Sequence, residues 1–251
     1  MANYVEKVIE IANAEVGYLE KETNKNLDSK TGNAGDENFT KYARDLDNLT
    51  NFYNGKKNGY SWCDVFVDWC FYKAYGRAAA QTLLCQPDKS LGAGCKYSAQ
   101  YFKNNKRWYT SSPKIGNQIF FKNASGSICH TGIVYKVDST YVYTIEGNTS
   151  SAEGVVENGG CVAKKKYKLG YSKIAGYGRP KYDTKPTVVY YKKYTGTSTK
   201  IDVVFKSVGA PYGSVAKRKP VAKKNGYSSY TGTAAQNLKL ISLAKQGKLK
   251  K

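Results

Sequence analysis

The fold is decided by residues 129–148, CHTGIVYKVDSTYVYTIEGN, in which apolar side chains recur at alternate positions on both sides of the polar turn DST. A period of two indicates β-strands, and a three-residue turn between two such runs indicates a hairpin. The turn pairs residues whose numbers sum to 278, so that His130 faces Asn148 and Gly132 faces Glu146. The stretch therefore predicts two antiparallel strands with polar residues gathered at one end.

His130 is the only histidine in the 251 residues. Because histidine titrates near neutrality, a cysteine- or serine-based hydrolase with this sequence has one residue available as its general base. Alternate residues of a strand share a face, so Glu146 and Asn148 project to the side of His130, and Glu146 is long enough to reach the imidazole. Gly132, opposite Glu146, leaves room for that approach. The hairpin thus predicts a base with two candidate orienting groups, and a structural histidine is the alternative.

Upstream, the run WCDVFVDWCFYKAYG (62–76) predicts a helix that is buried nearly all round, because apolar residues and cysteines recur at helical spacing and most positions between them are also apolar. Cys63 stands at its start. There a thiol feels the positive end of the helix dipole, which favours the thiolate, and free N–H groups of the first turn can hold an oxyanion. Cys63 is therefore a candidate nucleophile. The alternative is a buried, inert thiol, which we expect for most of the other cysteines.

The remaining patterns place helices before strands. Residues 4–19 predict an amphipathic helix, residues 20–36 a polar loop and residues 38–53 a short second helix. After residue 113 the period changes to two, and strands are predicted at 119–121, 129–137, 141–148 and within 154–167. Helices followed by an antiparallel sheet are typical of an α+β fold.

Four segments, WCDVFVDWCF, HTGIVYKV, TIEGNTS and the closing GYGRPKY, together resemble a CHAP domain, the cysteine- and histidine-dependent amidohydrolase/peptidase module of bacteriophage endolysins and bacterial wall hydrolases. The resemblance covers roughly residues 3–182. It implies a papain-like α+β fold in which N-terminal helices pack on an antiparallel β-sheet. It also implies Cys63 as nucleophile, His130 as general base, Glu146 as the residue that orients the imidazole and Asn148 as an assisting residue.

The resemblance further implies that the substrate is peptidoglycan, cut within its peptide or at the sugar–peptide amide. The enzyme would then be an endopeptidase or an N-acetylmuramoyl-L-alanine amidase. Two departures from the family pattern affect the site. Many members have Gln or Asn directly before the nucleophile, whereas Trp62 stands here, which leaves Asn58 and Ser61 as substitutes in the oxyanion hole. Many members also have Gly-Asp where this chain has Gly116 and Asn117.

Some phage CHAP domains bind calcium through an Asp-x-Asp loop close before the cysteine. Asp45 and Asp47 form such a pair here, followed by Asn48. They lie within a predicted helix, and a calcium site needs at least about six oxygen ligands, of which these residues supply only part. We therefore expect a solvated acidic face and no cofactor, with calcium as the alternative.

Positive charge is concentrated toward the end of the chain. The net charge is +21, of which residues 181–251 contribute +14 from 16 Lys and Arg against two Asp. This asymmetry predicts a catalytic domain (1–182), a linker (183–200) and a basic, helical module (201–251) for a polyanionic partner. The module resembles LysM-type modules and the basic tails of endolysins. We expect it to bind anionic wall polymers rather than nucleic acid, with a merely solubilising tail as the alternative.

Three classes of function remain open. The first is a bacteriophage endolysin or related peptidoglycan hydrolase, the second a secreted or interbacterial cysteine protease, and the third a non-enzymatic basic protein that binds polyanions. The start of the chain is interrupted by Glu6, Glu10 and Glu15 and does not resemble a secretory signal, and no stretch reaches the ~18 apolar residues of a membrane span. We expect a protein made in the cytoplasm of a bacterial host that acts on the cell wall.

Overall fold

The structure is a computed structural model that describes residues 3–183 and 189–251. These residues fall into two compact units, one on each side of the gap, and each unit has its own buried apolar core. The stretch 183–200, predicted as a linker, lies partly outside the described residues. Its later part packs on the second unit, where the Tyr191 N–H donates to the Leu249 carbonyl at 2.9 Å and Tyr194 is buried.

In residues 3–183, five helices precede six strands, which confirms the predicted α+β class. The helices are α1 (Val5–Ala14), α2 (Lys41–Asp47), α3 (Cys63–Tyr75), α4 (Arg77–Leu83) and α5 (Cys95–Asn104). The strands are β1 (Trp108–Tyr109), β2 (Gln118–Lys122), β3 (Ile128–Val137), β4 (Tyr141–Thr149), β5 (Cys161–Lys168) and β6 (Ile174–Gly178). They form one sheet in the order β1-β6-β2-β3-β4-β5, and every neighbouring pair is antiparallel.

Helix α3 is the central helix of the first unit. Every residue from Cys63 to Phe71 is buried, as the apolar run predicts, because α3 packs between helices α1 and α2 and strands β3 and β4. The helix ends at Gly76, whose φ of +77° lies in the region that glycine adopts without strain. Burial on all sides fixes Cys63, at the start of α3, relative to the sheet.

The two faces of the sheet have different partners. Phe120, Ile133 and Ile145 point toward α3 and belong to the main core, so we call this side the helix face. Phe121 and Val134 belong to a separate apolar cluster on the opposite side, which we call the second face. Because successive side chains of a strand point to opposite faces, the face of any other strand residue follows by counting along the strand from one of these residues.

The hairpin of β3 and β4 has the predicted register at the end that carries the site. There Ile133 faces Ile145, a pair whose numbers sum to 278. Near the turn the pairing differs, because Val137 faces Val142, and a β-bulge just before Lys136 takes up the extra residue. Beyond the bulge, away from the turn, the residues are therefore paired as a three-residue turn would pair them.

The second unit contains helices α6 (Ile201–Val208), α7 (Val215–Lys224) and α8 (Ala234–Lys245). Helix α8 begins with a capping box, in which the Thr233 side chain and the Gln236 side chain each bond the other's backbone N–H. Gly247 follows the helix with φ +69°, as the predicted C-terminal cap requires. In neither described range is a helix both long enough and apolar enough to cross a bilayer.

Candidate active site

The predicted contact between His130 and Glu146 is present. The imidazole Nε2 lies 3.0 Å from Oε2 of Glu146, and both side chains are completely buried. His130 stacks beside Phe121, its partner in β2, so the pair lies on the second face. Because a carboxylate can only accept a hydrogen bond, Nε2 is the donor, and the neutral ring carries no proton on Nδ1.

Nδ1 of His130 is the ring nitrogen that does not contact Glu146. It is buried and has no hydrogen-bond partner in the described part of the chain. A buried acceptor without a donor costs about 1–3 kcal/mol, so Nδ1 would be stabilised by a proton donor placed beside it. An unprotonated, unpaired ring nitrogen is what a general base requires.

Glu146 is itself held from three sides. Its carboxylate accepts hydrogen bonds from the hydroxyls of Thr144 and Tyr167, the latter at 3.2 Å. A Cβ atom on Gly132 would lie 2.5 Å from Cγ of Glu146, which confirms that the glycine makes room for the carboxylate. Sequence reasoning missed Tyr167, although the alternation along β5 places it on the same face as Glu146.

Cys63 begins α3 as predicted and is only 5% exposed. Contact with the Cys95 thiol at the start of α5, followed by burial, raises the pKa of the Cys63 thiol well above its ordinary value, and the Asp64 carboxylate adds to the effect. The sequence predicts the opposite, a thiolate favoured by the helix dipole. The prediction is wrong for this structure because contact with the Cys95 thiol and burial both favour the neutral thiol.

Asp64 connects the nucleophile helix to its surroundings. Its carboxylate accepts hydrogen bonds from Ser98 Oγ at 2.8 Å and from Gln118 Nε2 at 3.0 Å. Gln118 Nε2 also donates to Thr131 Oγ1 at 3.1 Å. Burial raises the pKa of Asp64 to about 6. Sequence reasoning missed this network, although a carboxylate inside an otherwise apolar helix was a signal for it.

The same network shows which way His130 points. Thr131 contacts Gln118 on the helix face, so its neighbour His130 projects to the second face. In the described part of the chain, His130 is hydrogen-bonded to Glu146 and not to Cys63. The structure therefore brings the base and its carboxylate together but does not join them to the thiol.

Asn148 has a different neighbour from the one predicted. Its Nδ2 donates to Ser61 Oγ at 3.1 Å, and it makes no hydrogen bond with His130. The reason is its backbone, whose φ of +53° lies in the left-handed region and interrupts the alternation of β4. The prediction that Asn148 shares a face with Glu146 and assists the imidazole is therefore corrected. Asn148 instead fixes the loop that leads into Cys63.

The two predicted substitutes in the oxyanion hole differ in position. Ser61 lies two residues before Cys63 and accepts from Asn148, so its own hydroxyl proton remains available to donate. The Asn58 side chain is engaged elsewhere, since it accepts from the Thr40 N–H at 2.9 Å. Ser61 is therefore the better candidate.

The carboxylates proposed as calcium ligands already have donors from the protein. Asp45 accepts from Arg44 and from the indole of Trp69. Asp47 accepts from the backbone N–H groups of Lys57 and Asn58. Oxygens used in this way do not fit the coordination of a hard cation, and residues 3–183 and 189–251 contain no cluster of three or more His, Cys, Asp or Glu side chains that could hold a metal.

Residues 55–148 match the family model of the CHAP domain. This range includes Cys63, His130, Glu146 and Asn148. This segment of the chain is therefore similar to a CHAP domain. CHAP domains are cysteine- and histidine-dependent amidohydrolases or peptidases that act on peptidoglycan.

Among solved structures, the chain is similar to the crystal structure of Ly7917, with 12% sequence identity and a TM-score of 0.40. The similarity covers 70% of this chain and 62% of that chain. No curated protein matches the sequence.

Proposed function

We propose that this protein is an endolysin or related peptidoglycan hydrolase that cuts an amide bond with Cys63 as nucleophile. The observation that carries the proposal is the buried pair of His130 and Glu146, in which Nδ1 of the imidazole has no hydrogen-bond partner among the described residues. The similarity to a CHAP domain supplies the class of reaction, and Cys63 at the start of a buried helix supplies a thiol beside free backbone N–H groups.

The proposed reaction is acyl transfer. His130 takes the thiol proton on Nδ1, and the sulfur of Cys63 attacks the amide carbonyl to form a tetrahedral oxyanion. In this proposal the N–H groups of the first turn of α3 and the Ser61 hydroxyl donate hydrogen bonds to that oxyanion. His130 then protonates the leaving amine, and water, deprotonated by the same imidazole, hydrolyses the thioester. Glu146 holds the ring and balances its positive charge.

The step that the mechanism requires is contact between the thiol and Nδ1 of His130. Cys63 and His130 are not hydrogen-bonded in the structure, because His130 projects to the second face whereas α3 packs on the helix face, and the pKa of Cys63 is raised. The mechanism therefore requires the His130 side chain to turn toward the helix face. An ion pair with the imidazolium is the interaction that would lower the pKa of Cys63, because a buried thiolate is stabilised by an adjacent positive charge. The rate of Cys63 alkylation as a function of pH measures whether that pair forms in solution.

The module at the end of the chain is proposed as an anchor on anionic wall polymers. Asp202 is the one acidic residue in 189–251, and it is paired with Arg218 at 2.7 Å. Four lysines of α7 are exposed: Lys217, Lys219, Lys223 and Lys224. A hydrolase of an insoluble polymer gains residence time from such an anchor, and the cell wall is then the place where the protein acts.

A turbidity assay on Gram-positive cell walls tests the proposal. Cys63→Ala should abolish lysis, whereas Cys161→Ala, which removes a half-buried thiol elsewhere, should retain it. Undiminished lysis by Cys63→Ala would overturn the proposal. Mass spectrometry of the released muropeptides then distinguishes an amidase from an endopeptidase, and cleavage of unfolded protein without wall lysis would favour the cysteine protease instead.

A non-enzymatic, polyanion-binding protein is the second candidate, and the raised pKa of Cys63 together with the missing bond to His130 favours it. Thiol labelling separates the two candidates. A Cys63 that reacts with iodoacetamide at neutral pH, and loses this reactivity in His130→Gln, supports catalysis. A Cys63 that stays unreactive in folded protein supports binding alone.

A further inference from the structure

A row of lysines runs along the edge strand of the sheet in the first unit. Lys164, Lys166 and Lys168 are all exposed and occupy alternate positions of β5. Residues two apart on a strand point to the same side and are separated by about 7 Å. The strand therefore presents three positive charges in a regular line, outside the module that carries most of the chain's charge.

Tyrosines of the neighbouring strands lie beside these lysines. In the register of the sheet, Tyr143 faces Lys166 and Tyr141 faces Lys168. The ring of Tyr135 lies against that of Tyr143, with 6.1 Å between centroids. We call this surface the tyrosine–lysine face, and its residues line an open cleft of about 1000 Å³: Tyr135, Tyr141, Tyr143, Lys164, Lys166 and Lys168.

Two carboxylates lie near the face and do not cancel its charge. Asp138, in the turn between β3 and β4, accepts from the N–H groups of Thr140 and Tyr141 and from the Tyr143 hydroxyl. Glu153 is the other acidic residue in the lining of the cleft. Because Asp138 is engaged with its own turn, the row of lysines is left to pair with an external anion.

We propose that the tyrosine–lysine face binds an extended phosphodiester polymer of polyol or sugar units, the chemistry of anionic wall polymers. A regular row of ammonium groups matches a repeated anion better than a single phosphate. The hydroxyls of Tyr135 and Tyr141 make no hydrogen bond within the described residues and can pair with polyol hydroxyls. That the polymer belongs to the cell wall rests on the proposed function. The charges and hydroxyls that would bind it are properties of the face itself.

The tyrosine rings favour this partner over single-stranded nucleic acid. An ammonium group already lies over each ring: Lys136 at 4.5 Å from the centroid of Tyr143, Lys164 at 5.2 Å from that of Tyr135 and Lys166 at 5.3 Å from that of Tyr141. Proteins that bind single strands present open aromatic faces on which bases stack. Here an ammonium group lies over one face of each ring, which favours charge and hydroxyl groups as the means of recognition.

Co-sedimentation with purified Gram-positive cell walls tests the proposal. Every protein carries Cys63→Ala, so that the wall is not digested and binding is measured apart from hydrolysis. The test variant is the full chain with Lys164→Gln, Lys166→Gln and Lys168→Gln. The matched control loses the same charge from exposed loop residues, through Lys25→Gln, Lys56→Gln and Lys89→Gln.

We expect the test variant to bind intact walls roughly tenfold more weakly than the control, since each lysine–phosphate pair contributes a modest amount. Its binding should depend less steeply on salt. On walls stripped of phosphodiester polymers by hydrofluoric acid, the two variants should bind equally.

Equal binding of both variants to intact walls would overturn the proposal, and so would a difference that persists on stripped walls. A third result against it is selective binding of single-stranded DNA that is lost in the test variant, because nucleic acid would then be the partner. If walls are bound as expected but never hydrolysed by protein with Cys63 intact, the face stands and the proposed enzymatic function fails.

Discussion

Asp64 and Thr131 are joined by one side chain, since Nε2 of Gln118 lies 3.0 Å from Asp64 Oδ1 and 3.1 Å from Thr131 Oγ1. Asp64 follows Cys63 along α3, and Thr131 follows His130 along β3. Gln118 is completely buried in β2. A single amide group therefore joins the start of α3 to strand β3, beside the two residues proposed as nucleophile and base.

Replacement of Gln118 by Leu should destabilise the protein by roughly 2–3 kcal/mol, because the buried Asp64 carboxylate loses a hydrogen-bond donor. Urea unfolding at pH 7 measures the change. Thr131→Val serves as the control, since it keeps the bond between Gln118 and Asp64 and should cost less. Equal losses in both variants would show that the bridge to Asp64 adds nothing.

Glu146→Gln should lower wall hydrolysis by about 10²-fold or more, because the amide cannot balance the charge of the imidazolium and can present either an acceptor or a donor to Nε2. Tyr167→Phe removes only one hydroxyl from the carboxylate and should retain most activity. With one histidine in the chain, ¹⁵N NMR shows a single imidazole. In the parent protein it should report the proton on Nε2, and a proton on Nδ1 would contradict the assigned roles.

Cys95→Ala should lower the pKa of Cys63, because contact with the Cys95 thiol is the largest cause that raises it. A larger thiolate fraction at pH 7.5 should increase the rate of Cys63 alkylation at least about threefold. Cys161→Ala is the matched control and should leave the rate unchanged. If the rate fell or stayed the same in Cys95→Ala, burial rather than the neighbouring thiol would control the nucleophile.

Asp64 should make stability depend on pH between about 4 and 6. Its pKa is raised to about 6 by burial, whereas an unfolded Asp titrates near 4. The folded state therefore holds the proton more tightly, so the stabilisation is present below pH 4 and is lost as pH rises through about 6. Urea titrations at pH 4.5 and 7 should give a smaller difference for Asp64→Asn than for the parent or for the exposed-loop control Asp88→Asn. Equal differences would contradict the assignment.

Much of the site hairpin follows from local pattern. The alternation from residue 129 to residue 148 predicts both strands, the register at their site end and the approach of Glu146 to His130. Chain periodicity determines these features directly, because a strand fixes which side chains share a face. The burial of the apolar residues of α3 is equally local, since they recur on all sides of the helix, whereas the burial of Asp64 and Asp68 among them does not follow from the apolar pattern.

The parts that escaped prediction depend on single backbone angles or on distant segments. The left-handed φ of Asn148 has no signature in the alternating pattern, yet it moves the side chain from His130 to Ser61. The approach of Cys95 to Cys63 arises only when α5 packs beside α3, and it reverses the expected shift of the thiol pKa. Helices α4 and α5 and strands β1 and β6 were also not predicted. Of these, α4, β1 and β6 are short and carry too few periods to be recognised.

The ion pair between Asp202 and Arg218 uses the only acidic side chain in residues 189–251. Residues 189–251 hold no histidine, no cysteine and no other carboxylate side chain, so the range has no residue type whose ordinary pKa lies between about 5 and 9. If the second unit binds an anionic surface as proposed, we expect that binding to change little with pH in this range. Ionic strength and the density of charge on that surface are the variables left to set how long the protein stays there.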